Sequence, residues 1–270
     1  MKGKTVFITG STDGIGKATA LELARMGATV ILHGRNPGRC HIVLAEVQRA
    51  SKNVAPGCFA ADLSSMKEVR KLAEDVRGSY ERLDVLINNA GVFMTQRRLT
   101  EDGFETTFAV NHLAPFLLTH LLLDLLASSA PARIINISSV AHQRAHLDLD
   151  NLQGEKKFTG YGAYALSKLA NILFTYELAE RLQGTGVTVN SLHPGVINTK
   201  LLREGFGGMS GAPLKEGAAT AVYLASAADV GATTGRYFVK KKEEVSSPVT
   251  HDGALRKTFW TVSERLCGIS

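Results

Sequence analysis

Short β-branched runs alternate with segments of 3.6-residue apolar periodicity along almost the whole chain, and this alternation restricts the fold more than any other feature. Thr5–Thr9, Thr29–His33, Ala55–Ala61, Val85–Asn88, Arg133–Ser138, Val187–His193 and Arg236–Val239 read as strands. Between them, Ile15–Met26, Arg39–Ala50, Met66–Tyr80, Phe104–Leu126, Ala163–Gln183 and Lys215–Ala225 read as helices. Strands separated by helices of this length cannot form hairpins; they cross over and pair in parallel, with helices on both faces. The expectation is an α/β, doubly wound Rossmann fold with a sheet of about seven strands. No shift of composition marks a linker and no repeat appears, so residues 1–270 read as a single domain.

Three irregular stretches interrupt the rhythm: Ala141–Gly162, Asn198–Pro213 and the tail 241–270. In an open parallel sheet, ligands bind beyond the carboxyl ends of the strands, so the loops that follow strands are where chemistry is expected. Residues 198–213 set Leu201, Leu202, Phe206 and Met209 among Gly205, Gly207, Gly208 and Gly211, which reads either as a hinged apolar flap over a substrate or as a plain disordered surface loop. The tail carries Phe259 and Trp260 on a possible short helix, read as packed back onto the core.

The first strand runs into Thr9-Gly10-Ser11-Thr12-Asp13-Gly14-Ile15-Gly16 and then a helix. A glycine-rich turn in that place lets backbone N–H groups approach a pyrophosphate at a helix N-terminus. At the end of the second strand, where a carboxylate would grip the ribose of NAD(H), the chain has Gly34 followed by Arg35 and Asn36. A guanidinium there pairs with a phosphate, which predicts NADP(H), with NAD(H) as the alternative. Asp13, inside the glycine turn, works against that preference. Asp62 and Leu63 follow the third strand and would border the adenine, and Asn88-Asn89-Ala90-Gly91 follows the fourth, facing the same crevice.

The chain carries a formal charge of +6, but its one tight cationic cluster, Lys240–Lys242, runs straight into Glu243-Glu244 and reads as a solvated turn rather than a nucleic-acid surface. Cys40, Cys58 and Cys267 are scattered and odd in number, so neither a disulfide framework nor a zinc site is implied, and a reducing compartment is expected. His112, His120, His142 and His193 have no metal-ligand spacing and read as structural or loop residues; no metal is expected. The longest apolar stretch, Leu117–Leu126, is short for a bilayer span, and no leader or anchor precedes the first strand. These features predict a soluble, cytoplasmic protein.

Tyr164-Ala165-Leu166-Ser167-Lys168 puts a phenol and an ammonium one helical turn apart. A free tyrosine titrates near 10, too high for proton exchange at neutral pH, and an adjacent cation lowers it. The other candidates lack that partner: Tyr161 is followed four residues on by Ala165, and Tyr176 by Glu180.

Taken in order, the turn at Thr9–Gly16, Asn88–Gly91, Asn111, Ser139, Tyr164 with Lys168, and Pro194-Gly195 resemble the short-chain dehydrogenase/reductase family across nearly the whole chain. Asn111-His112-Leu113, Ile135–His142, Ala163–Asn171 and His193–Val196 resemble its retinol dehydrogenase-like branch, as does the long insert between Ser139 and Tyr164.

The resemblance implies Tyr164 as general acid/base, Ser139 as hydrogen-bond partner of the substrate oxygen, and Lys168 on the nicotinamide ribose. Ser138, the neighbour of Ser139, would point the other way along an extended strand. For Asn111 the family implies a water-mediated relay to Lys168, and for Val196, Ile197 and Thr199 contact with the nicotinamide carboxamide. The implied partner is an apolar carbonyl or alcohol. A homodimer or homotetramer would form through Phe104–Leu126 and Ala163–Gln183. The leading expectation is carbonyl/alcohol interconversion. Reduction of a carbon–carbon double bond, as in protochlorophyllide-type reductases, is one alternative, and a non-catalytic nucleotide-binding regulator or scaffold is another.

Overall fold

The computed structural model describes residues 1–51, 56–207 and 209–269. Its strands β1 (Thr5–Ile8), β2 (Thr29–Gly34), β3 (Gly57–Ala60), β4 (Val85–Asn88), β5 (Ala132–Ile137), β6 (Val187–His193), β7 (Arg236–Val239) and β8 (Lys242–Glu243) form one sheet in the order β3-β2-β1-β4-β5-β6-β7-β8. All pairings are parallel except β7 with β8. The expected third strand starts later than read, at Gly57; its predicted first residue, Ala55, lies outside the described residues. The short eighth strand was not anticipated. Lys240 and Lys241 turn into it with φ of 48° and 65°, the left-handed pair that a two-residue hairpin requires.

Helices α1 (Gly14–Arg25), α2 (Pro37–Ala50) and α8 (Leu214–Ser226) cover one face, with Leu23, Val30, Ile87 and Leu224 in the layer between. The other face carries α3 (Met66–Ser79), α5 (Ala114–Ser128), α6 (Gly160–Arg181) and α9 (Gly253–Cys267). The starts of these helices are written in the sequence. Asp13, Asn36, Ser65, Thr159 and Asp252 each accept a first-turn backbone N–H, satisfying donors that the helix itself leaves open.

The strand order reverses between β1 and β4, and a crevice opens there at the strands' carboxyl ends. Helix α4 (Thr106–Phe108), a π-helical turn (Ala109–Leu113) and α5 run on as one rod, Thr106–Ser128. At 23 residues it is longer than the apolar stretch read from sequence, and long and apolar enough to cross a bilayer. Here it is a core helix, 72% of its most apolar window being buried inside the protein.

The cysteines depart from expectation: Cys40, at the first turn of α2, and Cys58 on β3 are joined by a disulfide, with Cα atoms 5.8 Å apart. The β2–α2–β3 crossover brings together two residues 18 apart, a pairing that short Cys spacings do not reveal.

The tail forms α9, which lies across α5 and α6. Trp260 packs edge-on against Phe116 at 4.8 Å and tilted against Phe174 at 5.9 Å, under the Arg181 guanidinium at 4.2 Å. Phe259 and the Ser263 hydroxyl close on His112, and Arg256 pairs with Glu180. Trp260→Ala removes a buried indole with three aromatic and cationic neighbours. It should cost about 3–5 kcal/mol, read as a lowered urea midpoint at unchanged slope.

Candidate active site

The glycine turn is built largely by its own side chains. Ser11 donates to the Ile8 carbonyl at 2.8 Å and accepts from the His33 backbone at 2.9 Å, wholly buried. Asp13, the residue that seemed to oppose a phosphate, caps α1 by accepting from Gly14 N at 2.7 Å. Gly10 and Gly16 are required by packing: a Cβ at Gly10 would lie 2.9 Å from the Ala90 backbone, and one at Gly16 would strike Asn89 and the Gly10 carbonyl. Gly14 differs. Its φ is +56° and its nearest neighbour, the Thr199 methyl, stands off at 3.7 Å, so the turn's backbone is open on that side. Ile15 points the other way, into α8 beside Ile197 and Gly217.

His33 is the residue that sequence reading missed. Its Nδ1 accepts the Gly10 N–H at 3.1 Å and its Nε2 faces the Ala61 carbonyl at 3.1 Å, which fixes the tautomer with the proton on Nε2. Burial pushes its pKa down to about 4. One neutral ring thus ties the turn to the end of β3.

The Asn-Asn-Ala-Gly segment divides. Asn89 donates from its side chain to the carbonyls of Thr9 (2.8 Å) and Gly10 (3.1 Å), while the Thr9 hydroxyl receives the Asn89 and Ala90 N–H groups. Asn88 corrects the expectation that both asparagines face the crevice. It turns inward, donating to Thr119 and Asn136. Leu63 is likewise buried in the core beneath α3 rather than lining an open wall. Asp62 holds the Ser64 N–H in a local turn.

Gly34 lies against Thr12: a Cβ there would approach the Thr12 side chain to 2.5 Å. A carboxylate at this position would have to displace that threonine. Arg35 is exposed, Asn36 caps α2 through Arg39 N, and a cleft of about 200 Å³ beside them is lined by Thr12, Asp13, Lys17, Arg39, Ile42 and Val43. Lys17 pairs with Glu46, whereas neither Arg35 nor Arg39 forms an ion pair among the described residues.

At the other end of the crevice, Tyr164 and Lys168 stand on successive turns of α6, both buried. The Lys168 ammonium lies 5.6 Å from the centre of the Tyr164 ring and donates to the Ile137 carbonyl at 3.0 Å. Burial moves the two in opposite directions, Tyr164 up to about 12 and Lys168 down to about 8. The Ser139 hydroxyl pulls Tyr164 back down, while neighbouring Tyr161 adds to the rise. The protein's own groups therefore do not give the lowered phenol that the Tyr-Lys spacing suggested, because desolvation outweighs the Ser139 hydrogen bond. Ser139 lies just beyond β5, its Oγ also accepting from Ala141 N at 3.2 Å, and Ser138 points away to the Lys168 carbonyl.

Asn111 lies in the π-helical turn. Its amide grips both backbone groups of Val92 (2.8 and 3.0 Å) and donates to Ser167, so its polar atoms are engaged in the fold. It still borders the site: a Cβ at Gly91 would lie 3.4 Å from Asn111 and 3.5 Å from the Lys168 ammonium. Beyond β6, Pro194 and Gly195 (φ +100°) turn the chain into Val196 and Ile197, which is bridged to Ala212, and Thr199 caps α7 (Lys200–Gly205). Residues 198–213, read above as a flap, include Gly208, which lies outside the described residues. Phe206 covers Tyr164 at 5.6 Å and meets Phe93 at 5.0 Å and Tyr161 at 6.2 Å, while Met209 is exposed. Phe93 and Tyr161 carry no motif and could be found only in three dimensions.

A crevice joining a glycine turn to a Tyr-Lys pair can be compared with known proteins. A family model for short chain dehydrogenases matches residues 4–207. The chain belongs to the short-chain dehydrogenase/reductase family. Over 283 residues it is 43% identical to retinol dehydrogenase 13 of Mus musculus, covering 99% of this chain and 85% of that protein. A crystal structure of an uncharacterized protein from Mycobacterium paratuberculosis superposes with a TM-score of 0.83 at 31% identity, covering 99% and 94% of the two chains. A short chain dehydrogenase from Escherichia coli CFT073, complexed with NADPH, superposes at 0.75 with 27% identity over 90% and 98%. This short-chain dehydrogenase is retinol dehydrogenase-like, an oxidoreductase that acts on CH–OH donors with a nicotinamide dinucleotide.

His33 gives a test of how the turn is held. Its folded-state pKa is below the usual 6.5, so its contribution to stability is present above pH 6.5 and is lost as the pH falls toward 4. Between those limits the native protein should lose about 3 kcal/mol more than His33→Gln, measured as unfolding free energy against pH.

Proposed function

We propose that this enzyme uses NADP(H) to interconvert a ketone or aldehyde and its alcohol on an apolar small molecule, with Tyr164 as general acid/base. The observation that carries the reading is the placement of Tyr164: its hydroxyl hydrogen-bonded by Ser139, and its ring 5.6 Å from the Lys168 ammonium and covered by Phe93 and Phe206.

The residues present fit a dinucleotide. The open side of Gly14 and the first-turn amides of α1 suit a pyrophosphate. Arg35 and Arg39 suit a 2′-phosphate, Asp62 and the backbone at Leu63 the adenosine, and Asn89, Ala90 and Gly91 the middle of the crevice. Lys168 suits the nicotinamide ribose, and Val196, Ile197 and Thr199 the carboxamide. When bound, the cofactor supplies the hydride and, in its oxidised form, a positive charge that lowers the Tyr164 phenol. In reduction Tyr164, protonated at neutral pH, gives its proton to the developing alkoxide while Ser139 holds that oxygen. In oxidation the phenolate takes the alcohol proton, with Lys168 stabilising the negative charge. The aromatic roof excludes water and favours a substrate with a flat or extended apolar body.

Tyr164→Phe should lower kcat for carbonyl reduction by about 100-fold or more, leaving NADPH affinity within about twofold. Activity near that of the native enzyme would sink the acid/base role. Loss of the phosphate ligands should separate the two cofactors. In the double variant Arg35→Ala with Arg39→Ala, NADPH should bind at least about tenfold more weakly, with NADH little changed. Equal weakening of both, followed by quenching of protein fluorescence, would refute the 2′-phosphate assignment.

A further inference from the structure

We propose that His142 is a positioning residue for Ser139, holding the turn that aims the serine hydroxyl. This rests on the reading of Ser139 given above. His142 is wholly buried in the 3₁₀ turn Val140–Arg144 that follows Ser139. Its Nδ1 lies 2.7 Å from the Ser139 carbonyl, and its Nε2 lies 3.0 Å from the backbone N of Ser247. A carbonyl can only accept and a backbone N–H can only donate, so the partners fix a neutral ring with its proton on Nδ1. Burial lowers the ring's proton affinity, in keeping with that state. The Tyr237 ring stands edge-on at 5.0 Å, and His193, lowered by burial to about 4, is the titratable neighbour on β6.

The geometry explains what the ring accomplishes. The Ser139 carbonyl accepts from both the His142 backbone (3.1 Å) and its side chain, so the peptide plane after Ser139 is held twice. That plane leads into Ala141, whose N–H meets the Ser139 hydroxyl at 3.2 Å. A tilt of the plane moves this donor and redirects the lone pairs of Ser139 away from Tyr164. The far end of the strut is firm. Next to Ser247, the Ser246 hydroxyl bonds the Tyr176 phenol at 2.8 Å and the Thr250 hydroxyl at 2.7 Å. The segment before α9 thus fixes the ring's tautomer and leaves the Nδ1 proton to hold the Ser139 carbonyl.

Two amides separate the two ends of the ring. Asparagine at 142 keeps an N–H near the Nδ1 position, and glutamine keeps an acceptor near Nε2. The assay is NADPH-dependent reduction of the best substrate from a panel of apolar aldehydes and ketones, with Ser139→Ala alongside. His142→Gln should lower kcat about 10- to 100-fold with KM and NADPH affinity within about threefold, while His142→Asn stays within about threefold of native. Equal losses in both variants, tracking their melting temperatures, would overturn the proposal in favour of a purely structural role. If Ser139→Ala retains activity, the serine reading itself fails. Independently of turnover, ¹⁵N NMR of the native protein at pH 7 should show His142 neutral and protonated on Nδ1; an Nε2–H ring or an imidazolium would overturn the assignment.

Discussion

The position of α6 is the constraint on which the site depends, and polar atoms set it. From Tyr164 to Ala179 every residue of this helix is buried, so no amphipathic stripe dictates its rotation about its own axis. A ladder of hydrogen bonds does. Asn88 donates to Asn136, Asn136 to Thr175, and Thr175 to the Asn171 carbonyl, while the Asn171 side chain and the Lys168 ammonium both meet the Ile137 carbonyl. Each buried partner lost costs about 1–3 kcal/mol, more for the ammonium, so a slipped helix would leave several groups orphaned at once. Tyr164 faces the end of β5 because the next turns of α6 are locked to it.

A second economy runs through the crevice: most side chains of its signature motifs stabilise the fold rather than face outward. Ser11, Asp13, Asn36, Asn89 and Thr199 all bind protein backbone. Within the glycine turn the Gly10, Ser11 and Gly14 N–H groups are themselves engaged, by His33 and Asp13, so the turn has a fixed shape. His33 and His142 repeat one device, a buried neutral imidazole linking a loop N–H to a carbonyl. Only a fixed tautomer can do this, since protonation would set two donors against each other.

Much of this was legible in the sequence because local rules and global fold agree. The strand–helix alternation gave the sheet, and the caps at Asp13, Asn36 and Ser65 mark helix starts in the chain itself. The Tyr164–Lys168 spacing survived because a helix converts sequence distance into a shared face. What was not legible depended on neighbours distant in sequence. Asn88 and Asn89 look equivalent, yet adjacent residues at a strand end point oppositely, one into the ladder and one to the turn. The π-helical turn at Asn111, the Thr12–Gly34 contact, the Cys40–Cys58 bond and the roof of Phe93 and Phe206 each join segments that no motif links. The tyrosine pKa went unforeseen for a related reason: spacing reveals a cation, but not the burial that raises the phenol.

The strand order carries a consequence for how the enzyme comes into being. β1 lies between β2 and β4, and the glycine turn is completed by Asn89, 80 residues after Thr9. The Tyr164 corner needs β5, α6 and then β6. During synthesis, then, the motif that opens the crevice emerges first but has no fixed shape until β4 has left the ribosome. The acid/base pair follows later still. Nucleotide can be gripped only by a chain most of the way to completion, so binding itself reports a nearly finished fold and, by mass action, selects for it.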